Sequence, residues 1–278
     1  MATAIYRRGS KGDGVKEIQR LLCAAGFPVS ADGDFGARTE DAVKAFQRSR
    51  GLSPVDGIVG PVTIRKLQGS QPTGRPQGDD RDGLHITPGY INTHISFCVG
   101  RHVKYIAIHY TAGSTSRPGA ALATRNVFLQ RAASADFVVD DGTVVQINPD
   151  IRNYYCWAVG DKKNPWTGGG RLNGKAMNKN AVSIEICSNL RRGASPAVAN
   201  HDGWYFTDQS LENTRKLVRY LMKTYGIPKE NVIRHYDATG KLCPGIPGWN
   251  DGPLFTTDGK QTKEKSRSTE WEKFWKSL

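Results

Sequence analysis

The 278-residue sequence is poor in cysteine, in acidic residues and in long apolar runs. Its five cysteines, at positions 23, 98, 156, 187 and 243, stand far apart and form no Cys-x-x-Cys pair. That spacing excludes a dense disulfide framework. No run approaches the roughly 18 apolar residues of a membrane-crossing helix. Met1 to Arg8 lacks the apolar stretch of a signal peptide, so the expectation is cytoplasmic synthesis with reduced thiols. Acidic side chains number 26 against 39 Lys and Arg, a net charge of +13. A chain this basic favours anionic partners: nucleic acid, anionic lipid or an acidic polymer. No helix-turn-helix, zinc-finger or RNA-binding signature is present, which argues against nucleic acid.

What is there divides in two. Residues 69–83 contain two prolines, four glycines and no large apolar residue, the composition of a flexible linker. The linker separates a small module, 1–68, from a larger domain, 84–278. Residues 1–83 carry 13 basic and 10 acidic side chains, the remainder 26 and 16, so most of the excess charge lies in the larger part.

The small module repeats itself. Asp32-Gly33-Asp34-Phe35-Gly36-Ala37-Arg38-Thr39 recurs 24 residues later as Asp56-Gly57-Ile58-Val59-Gly60-Pro61-Val62-Thr63. Asp-Gly favours a tight turn, and the second glycine suits the approach to a helix. Val15, Ile18 and Leu22 form one helical stripe, closed by Gly26; Thr39, Val43 and Phe46 form a second; Pro61 to Leu67 is a short third helix. With Val15-Lys16-Glu17-Ile18-Gln19 and Ala45-Phe46-Gln47, the doubled motif resembles the three-helix peptidoglycan-binding module of cell-wall hydrolases. The resemblance covers residues 10–68.

In the larger domain, strands are expected at 103–109, at 136–147 as a hairpin turning on Asp141-Gly142, at 181–187 and at 232–235. A helix capped by Asp208 carries Leu211, Leu217, Val218, Leu221, Met222 and Tyr225 on one face, and Gly226 and Pro228 stop it. Strands alternating with helices predict an α/β fold, a mixed central sheet with flanking helices, beside an all-α N-terminal domain.

Six histidines are present; His109 and His235 sit at strand ends that open into glycine-containing loops. His85, His94, His102 and His201 read as packing or surface residues. His109, His235 and Cys243 make a plausible three-ligand zinc set with one open position. His235, Lys241 and Cys243 stand at offsets of six and eight. With Ile108-His109-Tyr110-Thr111-Ala112 and Ser183-Ile184-Glu185-Ile186, this order resembles the type 2 zinc-dependent N-acetylmuramoyl-L-alanine amidases and peptidoglycan-recognition proteins. The resemblance covers about residues 84–250. It implies one zinc ion on His109, His235 and Cys243, Glu185 as base and Lys241 as a catalytic ammonium. It implies cleavage of the amide between N-acetylmuramic acid and L-alanine, and an endolysin-like action on the wall. Non-catalytic relatives, the alternative reading, lose the cysteine ligand that Cys243 supplies here.

Two stretches depart from the family pattern. Ala135-Asp136-Phe137 stands where many relatives carry histidine, and Ala158 takes a histidine's place in Cys156-Trp157-Ala158-Val159-Gly160. Trp157 and Asp136 are expected to line the substrate cleft. Trp166 is a candidate for stacking on sugar or peptide, and Tyr154 and Tyr155 read as core. Near the end, Trp271, Phe274, Trp275 and Leu278 fall at i, i+3, i+4 and i+7, with six basic and three acidic side chains over 260–278. Such a stripe can lie on a membrane, but docking onto its own domain is the favoured expectation.

Overall fold

The computed structural model describes residues 5–25, 27–67, 84–91, 93–98, 100–160 and 162–278. The tether 69–83, the Gly26 helix stop and the Cys23 side chain lie outside these residues. The chain divides into two compact units, Met1–Arg75 and Pro76–Leu278.

The first unit holds α1 (Asp13–Ala24), α2 (Ala37–Ser49) and α3 (Pro61–Leu67). Val15, Ile18, Leu22, Phe35, Val43, Phe46 and Ile64 are fully buried. Two glutamines tie the repeats to this core. Gln19 donates through Nε2 to Asp32 Oδ1 at 2.8 Å, to the Asp34 carbonyl and to Thr39 Oγ1, and its Oε1 accepts from Gly33 N. Gln47 makes the same four contacts with Asp56, Ile58, Thr63 and Gly57. Gly33 (φ 81°) and Gly57 (φ 74°) take the left-handed conformation that each turn requires. A buried amide that satisfies all its donors and acceptors on one turn makes that turn unique.

The second unit runs β1 (Ile86–Pro88), β2 (Ile95–Phe97), β3 (Tyr105–Tyr110), α4 (Ala120–Phe128), β4 (Phe137–Val139), β5 (Val144–Gln146), β6 (Tyr154–Cys156), β7 (Ala181–Ile186), β8 (Asn189–Leu190), β9 (Trp204–Tyr205), α5 (Asp208–Tyr225), β10 (Val232–Arg234), α6 (His235–Thr239), β11 (Pro253–Phe255), β12 (Gln261–Lys265) and α7 (Thr269–Lys276). Six strands form a mixed sheet in the order β1-β5-β4-β7-β3-β10. β4, β7, β3 and β10 are mutually parallel, and β4 and β5 are the expected antiparallel hairpin.

The central strands are buried on both faces, as parallel strands usually are. On one face Ile106, Ile108, Val182, Ile184 and Ile186 meet Leu217, Val218 and Leu221 of α5. The other face carries Tyr105, Ala107, Ala181 and Ile233, with Ala238 of α6 packed against it. The alternation along β3 and β7 puts His109 and Glu185 on that second face. α5 begins one residue earlier than the Asp208 cap expected: the Thr207 hydroxyl accepts from Ser210 N at 3.1 Å. Gly226 (φ 64°) ends it in the left-handed cap. The C-terminal stripe faces inward. Trp271 and Phe274 pack on Trp249, with ring centroids 6.0 and 5.4 Å apart, and Trp275 Nε1 donates to the Lys229 carbonyl.

α4 carries no cap of its own in the neighbouring sequence. Its start is capped across space by Asp140, whose Oδ2 accepts from Gly119 N and Ala121 N. The same carboxylate accepts from Gly142 and Thr143 through Oδ1, so one side chain shapes both the hairpin and the helix start.

Candidate active site

His109 is the next-to-last residue of β3, and its register partner on β7 is Glu185. His235 follows directly on β10, which pairs in parallel with β3. All three therefore reach the same edge of the parallel sheet, its C-terminal edge, where open α/β sheets bind ligands. Cys243 is returned to this edge by the left-handed turn at Gly240 (φ 83°) and by a Tyr236 N to Cys243 carbonyl bond of 2.9 Å.

His109, His235 and Cys243 are all buried, and their candidate ligand atoms lie within 4.8 Å of one another. Cys243 Sγ is 3.7 Å from His109 Nδ1, and the imidazole centroids are 4.6 Å apart. His235 Nε2–H donates to the Val159 carbonyl at 2.7 Å, which fixes the tautomer and leaves Nδ1 with its lone pair. His235 Nδ1, His109 Nε2 and Glu185 Oε2 are buried without a hydrogen-bond partner. Such atoms are costly unless a ligand uses them.

Electrostatics point the same way. Burial, then the neighbouring His235 and Lys241, holds the His109 pKa well below the usual imidazole value. Burial and Lys241 bring His235 down to about 4. Both rings are thus neutral near pH 7, the state that ligates a cation. Burial pushes the Cys243 thiol up to about 12, with Glu185 adding to the rise and Lys241 opposing it. A cation would reverse that cost by taking the thiolate. Burial also lifts Glu185 to about 8, against the pull of Lys241. Three donors of the types a borderline cation prefers, with a carboxyl beside them, can hold one metal ion and leave a position open.

Trp157 borders two connected clefts with Lys241, and its Nε1 donates to Ser96 Oγ at 2.8 Å. One cleft, of about 780 Å³, contains His109, Glu185 and Cys243; the other, of about 810 Å³, runs past His235 to Trp166. Asp136 is the exception among the expected site residues. It is fully buried, pairs with Arg101 at 3.2 Å and also accepts from Asn148 Nδ2 and Ser183 N. Its oxygens are used by interior donors, so it braces the strands and lines neither cleft. Sequence reasoning also missed Val159, whose part is played by a backbone carbonyl, and Asn178, whose Oδ1 accepts from Ala158 N and Val159 N. Main-chain groups leave no residue-type signal.

Fold and site together define a class: an α/β protein with a buried cluster of three candidate ligands, an adjoining carboxyl and an open cleft. Residues 99–246 match the N-acetylmuramoyl-L-alanine amidase family, and the chain belongs to it. Residues 11–67 match the model of a peptidoglycan binding domain. N-acetylmuramoyl-L-alanine amidase CwlL of Bacillus licheniformis is 30% identical over 167 residues, 57% of this chain and 40% of that protein. CwlH of Bacillus subtilis (strain 168), also named an N-acetylmuramoyl-L-alanine amidase, is 30% identical over 149 residues, 52% of this chain and 50% of that protein. The chain thus spans half or less of these curated relatives. A solved mutant endolysin from Bacillus subtilis is 25% identical with a TM-score of 0.40, covering 58% of this chain and 90% of that one.

Proposed function

We propose that this chain is a zinc-dependent peptidoglycan hydrolase that cuts the amide between N-acetylmuramic acid and L-alanine. The observation that carries the reading is the buried His109–His235–Cys243 cluster beside Glu185, at the floor of a cleft bordered by Lys241. A zinc ion held by those three residues would polarise the scissile carbonyl and acidify the attacking water. Glu185, with its raised proton affinity, accepts the proton of that water. Lys241 is exposed at the cleft and places an ammonium where negative charge develops on the carbonyl oxygen, and it can protonate the leaving amine. The Val159 carbonyl keeps His235 oriented. Trp157 offers an indole face to the substrate. The N-terminal module, through its likeness to peptidoglycan-binding domains, would hold the enzyme on the wall and raise its local concentration there.

Digestion of purified peptidoglycan tests the reading. New L-alanine amino termini without new reducing sugars are expected. Cys243→Ala should lose both bound metal and activity, and Glu185→Gln should keep the metal while losing about 10²–10⁴-fold in rate. New reducing ends would refute the amidase reading. Wall binding with no products from a zinc-loaded protein would favour a binding-only protein.

A further inference from the structure

Resting on the amidase reading, we propose that the cleft arm bordered by Lys162, Lys163 and Trp166 is a carboxylate-binding subsite that selects stem peptides by their free acid groups. This arm, of about 810 Å³, leads from His235 and Lys241 out to those three residues. Its lining contains three lysines and neither Asp nor Glu. Among the described residues, none of the three lysines has an ion-pair partner. Lys241 faces Glu185, but Lys162 and Lys163 are exposed on one arm with no ion-pair partner among the described residues, which suits an anionic ligand.

Trp166 is 91% exposed, an unusual state for an indole. It is not on a frayed segment. Asn164 N donates to the Thr239 carbonyl at 2.6 Å, Tyr236 Oη to the Thr167 carbonyl at 2.8 Å, and Gly170 N to the Tyr236 carbonyl at 2.8 Å. At Gly169 the loop packs directly on the Tyr236 backbone, where a Cβ would meet the carbonyl oxygen at 2.6 Å. The rim is therefore strapped to the segment that carries His235 and Lys241, and the indole is presented in place beside the lysines. A flat aromatic face and two ammonium groups on one arm fit a peptide that bears carboxylates. On the amidase reading, the stem peptide beyond the scissile bond supplies them.

The test is a binding titration of the full chain with the L-Ala-γ-D-Glu-L-Lys tripeptide, as free acid and with both α-carboxyls amidated. The wild type should bind the free acid about tenfold more tightly, the sum of two exposed pairs. Lys162→Gln/Lys163→Gln should abolish that preference with melting temperature and metal content unchanged. Trp166→Ala should weaken both peptides alike. Equal binding of the two peptides by the wild type, or a preference retained by the double variant, would overturn the subsite. Wall hydrolysis is scored separately. Preference without hydrolysis overturns the amidase reading alone, and hydrolysis without preference overturns the subsite alone.

Discussion

Replacing Asp136 by alanine distinguishes a scaffold residue from a cleft residue. The side chains of Asp136 and Arg101 are both fully buried and 3.2 Å apart. Truncation removes an acceptor from Arg101 Nη1, from Asn148 Nδ2 and from Ser183 N together. Arg101 keeps its contacts to the carbonyls of Lys179, Ile151, Tyr154, Asn178 and Ala181, but these carry no full negative charge. Removing one partner of a buried ion pair costs about 3–5 kcal/mol. In a unit of this size each kcal/mol lowers the melting temperature by about 2–4 °C, so a fall of about 10 °C is expected. Thermal unfolding by circular dichroism measures it. Arg101→Met in the Asp136→Ala background should recover part of the loss, because the isolated charge is gone. KM at a temperature where both proteins are folded should stay unchanged. A loss below about 1 kcal/mol, or a shift in KM at unchanged stability, would refute the reasoning.

Further outcomes follow from other contacts. Trp157→Ala should lower kcat/KM on peptidoglycan while zinc content is kept; unchanged activity would remove Trp157 from the substrate path. Gln47→Ala should speed amide exchange at Gly57, whose N–H donates to Gln47 Oε1 at 2.9 Å, and an opening cost reduced by about 1–3 kcal/mol would appear as roughly ten- to hundredfold faster exchange. The metal-free protein should lose stability as pH rises from about 6.5 to about 8; below 6.5 His109 and His235, neutral when folded but protonated when unfolded, act in the opposite direction. The folded Glu185 holds its proton to about 8 while the unfolded residue releases it near 4.5, so the unfolded chain gains from ionisation across that window. Denaturant midpoints against pH read this, and Glu185→Gln should flatten the slope.

Much of the site was legible before any coordinates. The resemblance to the type 2 amidases singled out His109, Glu185, His235, Lys241 and Cys243, and the structure brings the three candidate ligands together with Glu185 at one sheet edge. Strand alternation turns Glu185 away from Ile184 and Ile186, onto the face that carries His109, where it is half-buried. Asp136 was misplaced for the complementary reason. Its neighbours Ala135 and Phe137 suggest nothing about Arg101, a residue 35 positions away that supplies its charge partner. The short helix α4 went unseen because its cap, Asp140, comes from the hairpin and not from the helix's own flank.

The sequence by itself determined the repeats, the principal strands, the long helix and the order of the chemistry-bearing residues. These depend on periodicity and on neighbours within a few positions, which a linear reading can count. Only the tertiary structure decided which polar side chains face the cleft and which brace the core. Burial and charge pairing are set by residues distant in the chain, and the free energy of an ionised group depends on what folding brings beside it. That difference separates Asp136, sealed against Arg101, from Glu185, equally acidic in sequence but left with an unpaired oxygen beside a histidine pair and a cysteine.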